Sequence, residues 1–150
     1  KNLKKNGFLI LGSRNRLYNL FSLNEFSNNE IHKKTFKKFY LESINLAKLN
    51  LTNFLKCRKI NFDQVPFKQS KNVINVDKRH QFSPSQLINL LGKYSFKTIE
   101  ILPINYHPVI PKIYNSSLNY KKISNFISTD KNKLALIPFA SSFMIAVRKN

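Results

Sequence analysis

An α/β fold follows from three features of the sequence. Short apolar runs are bounded by turn residues, helical periods lie between them, and strands and helices follow one another along the chain. With 150 residues, 42% of them hydrophobic, the chain can form one domain with a core, and the composition is globular rather than disordered.

The first expected strand is Gly7-Phe8-Leu9-Ile10-Leu11, an apolar run of the kind buried on both faces of a parallel sheet. Gly12 and Ser13 then open a polar loop, Arg14-Asn15-Arg16, and Leu17, Leu20 and Phe21 suggest a short helical turn. From about Asn29 to Cys57 the apolar residues Phe36, Tyr40, Ile44, Ala47, Leu51 and Phe54 recur every three or four positions. That stripe predicts one long or two broken helices, with core packing as its role. Residues 17–78 as a whole read as a helical insertion, with an edge strand at Val73 to Val76.

The sharpest local signal is Ser83-Pro84-Ser85-Gln86: a capping Ser, Pro in the first helical position, and Gln placed to reach back to the cap. Leu87, Leu90, Leu91 and Tyr94 form the expected apolar face of this helix. A strand at Thr98–Leu102, ended by Pro103, a helix around Tyr120 to Ile127 and a last strand from Ser141 to Arg148 complete the order. These strands are too few to close a usual sheet, and the chain starts with Lys rather than Met, so further strands are expected upstream.

The net charge of +19 is the loudest feature of the composition. Arg, which makes bidentate contacts to phosphate and guanine, is confined to Arg14, Arg16, Arg58, Arg79 and Arg148, whereas Lys and Asn are spread along the whole chain. Solvated surface decoration is therefore favoured over a nucleic-acid patch. A small basic RNA-binding or ribosome-associated protein is the alternative. Cys57 stands alone, which excludes a disulfide framework within the chain and fits a reducing, cytoplasmic setting. No run reads as a signal peptide or a bilayer-crossing helix. Membrane contact is not favoured, and a peripheral membrane protein using the basic helix from Asn29 to Cys57 is a third, weaker reading.

Several segments resemble class I S-adenosylmethionine-dependent methyltransferases. Leu3-Lys4-Lys5-Asn6-Gly7-Phe8-Leu9-Ile10-Leu11-Gly12-Ser13 looks like the family's leucine, lysine, proline, glycine, glycine turn and fifth strand, with Asn6 replacing one glycine. Gln81 through Phe96 resembles the late helix, with Ser95 where the family's glycine precedes phenylalanine. Ser142 to Lys149 resembles the seventh strand. The resemblance implies the C-terminal part of a Rossmann-like sheet, in strand order 5-7-6 with strand seven antiparallel and helices covering it. It also implies S-adenosylmethionine as cofactor, held by a glycine-rich turn upstream of Lys1, and leaves this part inactive alone. The partner it implies is a small-molecule, lipid, quinone or sugar acceptor.

Ligands of open α/β sheets lie beyond the carboxyl ends of the parallel strands. That rule makes Ser13, Arg14, Asn15 and Arg16 after the first strand and Tyr106 after the later one candidate substrate contacts, and Arg79, just before the capped helix, joins them. Arg14 and Arg16 could clamp an anionic group, or one of them could pair with Glu25 or Glu30. His107 and His80 are the candidate general bases, because the imidazole titrates near working pH. Three scattered histidines without paired carboxylates argue against a metal site.

Overall fold

The computed structural model describes residues 3–57, 80–107, 109–110 and 133–150. It shows an α/β arrangement with a mixed four-stranded sheet. The expected strand at Val73 to Val76 and the helix at Tyr120 to Ile127 lie outside the described residues, as does Arg79.

Strand β1 is Phe8–Asn15, β2 is Gln81–Phe82, β3 is Phe96–Tyr106 and β4 is Ala140–Lys149. Their order across the sheet is β2-β1-β4-β3. The last strand in sequence thus enters between the first and the third and runs antiparallel to both, so β1 and β3 are parallel to each other. At the chain entry, Asn6 takes a left-handed φ of 64° and donates its N–H to Lys149 O at 2.8 Å. A side chain on Gly7 would meet Leu3 Cγ and Lys4 O at 2.9 Å, so this turn requires glycine.

Four helices follow β1: α1 (Asn19–Ser22), α2 (Glu25–His32), α3 (Phe36–Lys48) and α4 (Leu51–Cys57). The continuous helical period is thus broken more often than expected. Leu23 and Lys34 adopt positive φ, and Asn24 starts α2 afresh with a reciprocal cap to Ser27. Helix α5 (Pro84–Lys93) begins as its sequence predicts: Ser83 Oγ accepts from Gln86 N, and Gln86 Oε1 accepts from Ser83 N at 3.0 Å. Its exit is a left-handed residue, Ser95, with φ 61°.

Four expectations about the elements are corrected. First, β1 does not stop at Gly12 but continues to Asn15, because β4 pairs with it up to Arg14 and β2 adds a parallel partner at Arg14 and Asn15. Second, β3 runs through Pro103 to Tyr106. Among the described residues it is an edge strand that bonds only to β4, and the missing N–H of a proline is tolerated at an edge.

Third, β1 is not buried on both faces. Leu9 and Leu11 turn toward a core that includes Ile101, Phe143, Ile145, Val147 and Leu87, whereas Phe8 and Ile10 on the other face are 66% and 67% exposed. Fourth, the expected stripe packs only in part: Phe54 and Leu51 on α4 join the core and Ile44 is half-buried, but on α3 another face carries the packing. Phe39, Glu42 and Leu46 are buried, while Phe36, Tyr40 and Ala47 are exposed. An apolar count cannot find the packing face because one of its three members is a carboxylate. On α5, similarly, Tyr94 is exposed, and Leu87, Ile88 and Leu91 carry the contact.

Candidate substrate site at the carboxyl ends of the strands

Two polar pins bring the ends of β1 and β3 together. Asn15 closes β1, and its Nδ2 donates to Ile137 O at 2.6 Å and to Ala140 O at 2.8 Å. Its Oδ1 accepts from Leu17 N at 3.0 Å, which starts a 3-10 turn at Arg16–Tyr18. At the end of β3, His107 N donates to Phe139 O at 2.8 Å. Both strand exits are therefore fastened to one segment, the 3-10 stretch Lys133–Phe139 that leads into β4. Amide pairs buried in this way are specific, because each polar group left without a partner would cost free energy.

The consequence is an aromatic cluster. The Tyr18 and His107 rings lie 5.0 Å apart and 30° from parallel. Tyr18 also meets Phe21 at 6.0 Å, and Phe21 meets Phe139 edge-on at 5.0 Å. Burial pushes the His107 pKa below its ordinary value, which favours the neutral imidazole at neutral pH. A neutral imidazole beside rings can accept a proton from a hydroxyl or amine held against them.

A buried ionic network lies beneath. Arg16 and Glu30 form a bidentate pair, Nε to Oε1 at 2.7 Å and Nη2 to Oε2 at 3.0 Å, and both side chains are inaccessible to solvent. Asn19 Nδ2 bridges Glu30 Oε1 and Gln81 Oε1, and Thr35 Oγ1 donates to the same carboxylate. The guanidinium also sits 4.6 Å from the centre of the Phe39 ring. This network ties the turn after β1 to α1, α2, α3 and β2.

Glu42 forms a second link, across 43 residues, by accepting from Ser85 N at 2.8 Å at the start of α5. Desolvation raises its pKa from 4.5 to about 7. The Ser85 N–H and the Ser83 and Ser85 hydroxyls offset only part of that effect.

The residues singled out from the sequence separate into distinct groups. Asn15 and Arg16 are buried and used up in holding the fold, so their assignment as substrate contacts is corrected: an interior guanidinium needs its carboxylate partner. Ser13 lies within β1 and its hydroxyl donates to Arg14 O, so it is not in a loop. Arg14 is exposed and lies opposite Gln81, next in sequence to exposed His80, whose ring is 6.2 Å from that of Phe82. Tyr106 and His107 are half-buried at the other parallel strand end.

Sequence reasoning passed over Tyr18 and Phe139. An aromatic residue just past a strand end is the signal that could have marked Tyr18, and nothing local marks Phe139. Among the described residues no group of three His, Cys, Asp or Glu side chains could hold a metal ion.

No known family model matches the chain. Over 121 residues, which cover 78% of the chain, it is 28% identical to an uncharacterized protein of Buchnera aphidicola subsp. Acyrthosiphon pisum. The match takes up 12% of that protein, so the chain spans only a small part of the length of this relative.

Proposed function

We propose that this chain is the substrate-side part of an S-adenosylmethionine-dependent methyltransferase. The observation that carries the reading is the strand arrangement, in which the final strand enters antiparallel between two parallel strands. The resemblance of the sequence implies that order. The left-handed residues at Asn6 and Ser95, which stand where the resemblance expects glycines, add support.

The described residues do not fit the cofactor itself. Gly7, Gly12 and Gly92 all lie outside any strand-to-helix turn, and β1 leads instead into a turn capped by the Asn15 side chain. In this reading the cofactor is held by residues outside this chain. The role of this part is to position the acceptor against the Tyr18, Phe21, Phe139 and His107 cluster. His107 is the proton acceptor there, for a nucleophile that gives up a proton as it is methylated. Arg14 and His80 are proposed to contact the polar part of the acceptor.

The test is calorimetric titration of S-adenosylmethionine into this chain and into a chain extended upstream. Binding by the extended chain alone is expected. Binding by neither would overturn the reading and shift the weight to RNA binding, which the +19 charge would then explain.

A further inference from the structure

The stripe that the sequence displays on α3 is not consumed by the core. Phe36 is 38% exposed and Tyr40 is 55% exposed, and Leu41 and, on α2, Ile31 are exposed as well. Phe39, three residues after Phe36, is fully buried with Leu46. Helix α3 therefore has two apolar faces, one against the core and one outward. Lys34, Lys37, Lys38 and Lys48, on α3 or just before it, and Lys56 on α4 are all exposed.

Between Lys33 and Lys56 in the sequence no exposed carboxylate intervenes, and the exposed carboxylate of α2 is Glu25, at its start. From Ile31 to Cys57 the only acidic residue is Glu42, which is fully buried, and Glu30 just before it is buried against Arg16. The stretch thus presents positive charge together with large apolar side chains. Among the described residues no helix is long and apolar enough to cross a membrane.

We infer that the corner formed by α2 and α3 docks onto an anionic lipid surface. Helix α3 lies in the plane of the interface, with Ile31, Phe36, Tyr40 and Leu41 entering the headgroup boundary and the lysines contacting lipid phosphates and carboxylates. Charge complementarity selects the partner: a lipid bilayer offers both the dense negative charge that the lysines need and an apolar layer for the exposed rings. RNA offers the charge, but it is read by Arg and by displayed stacking rings, and this stretch has no Arg. The inference stands independently of the reaction, since none of these residues belongs to the cluster at the strand ends.

The test is co-sedimentation of the chain with vesicles of phosphatidylcholine containing phosphatidylserine, and of phosphatidylcholine alone, at low and high salt. Binding to the anionic vesicles, reduced by salt, is expected. Lys37→Gln with Lys38→Gln should weaken it by roughly tenfold or more. Phe36→Ser with Tyr40→Ser should weaken it by roughly tenfold, because the apolar contribution is lost. All four positions are exposed, and circular dichroism checks that the fold is kept. Failure to bind anionic vesicles overturns the inference. It is equally overturned if the Phe36 and Tyr40 variant binds undiminished while the chain holds an RNA oligonucleotide as tightly, because the patch is then a polyanion surface.

Discussion

The inside of the helical layer and the outside of the same elements invert the usual division of polarity. Arg16, Glu30, Glu42, Asn15 and Asn19 are buried, whereas Phe36, Tyr40 and Leu41 on α3 are exposed, as are Phe8 and Ile10 on the far face of β1. The buried groups are tolerable because nearly every one has a partner: Glu30 has a guanidinium, an amide and a hydroxyl, and Asn15 bonds at both ends of its amide. Glu42 shows what happens without a counter-charge. Its partners are dipoles, and these do not offset the loss of water, so its pKa is pushed up to about 7. The comparison teaches that polar pins set the strand ends here, while apolar side chains in quantity are left for contacts outside the described fold.

Removing a pin should have the largest effect. Glu30→Ala leaves the Arg16 guanidinium buried without its counter-charge and should cost about 3–5 kcal/mol in urea unfolding. A loss no larger than that of an exposed charge would break the comparison.

Two phenylalanines on one helix test it next. Phe39→Ala should cost about 3–5 kcal/mol, because a buried ring leaves a cavity, whereas Phe36→Ala should stay within about 1 kcal/mol. Equal losses would mean that α3 packs through the other face.

Glu42 supplies a pH test. Its folded pKa is raised to about 7 against 4.5, so its favourable contribution is complete below pH 4.5 and is lost as pH rises through about 7. The loss is on the order of 3 kcal/mol. Glu42→Gln keeps an acceptor for Ser85 N and cannot ionise. It should raise the unfolding free energy at pH 8 by an amount of that order and change it little at pH 4.5. His107 works in the opposite direction: its lowered pKa makes folding less favourable as pH falls below the ordinary histidine value. The difference between variant and parent isolates Glu42 from it, and a flat difference across this range would contradict the assignment.

The smallest effect is expected at the exit of α5. Ser95→Gly relieves a left-handed serine and should stabilise the chain by about 1 kcal/mol, read as a higher unfolding midpoint. A destabilised variant would show that Ser95 is held by contacts worth more than its strain.

Much of the fold was legible because the signals are local. Ser83-Pro84-Ser85-Gln86 spells a helix start within four residues, and the start of β1, the first half of β3 and nearly all of β4 read directly as apolar runs. Of the candidate site, His107 was legible as a residue past a strand end, whereas Tyr106, expected beyond the strand, lies within β3. The pairing of Arg16 with Glu30 was visible only as one choice among several. Tyr18 meets His107 across most of the chain length, and no spacing encodes such a meeting.

Sequence alone determined the α/β class, the capped helix and the excess of positive charge. These depend on near neighbours or on composition. Tertiary structure alone decided which face of α3 is inside, whether Arg16 serves a ligand or the core, how far β1 and β3 extend, and where Glu42 sends its carboxylate. Each of those outcomes is set by a partner outside the local helix or strand pattern, 14 residues away for Arg16 and Glu30 and 43 for Glu42 and Ser85. Burial gives it its energy: a charge or ring is worth little in water and several kcal/mol once the surrounding chain has excluded the solvent.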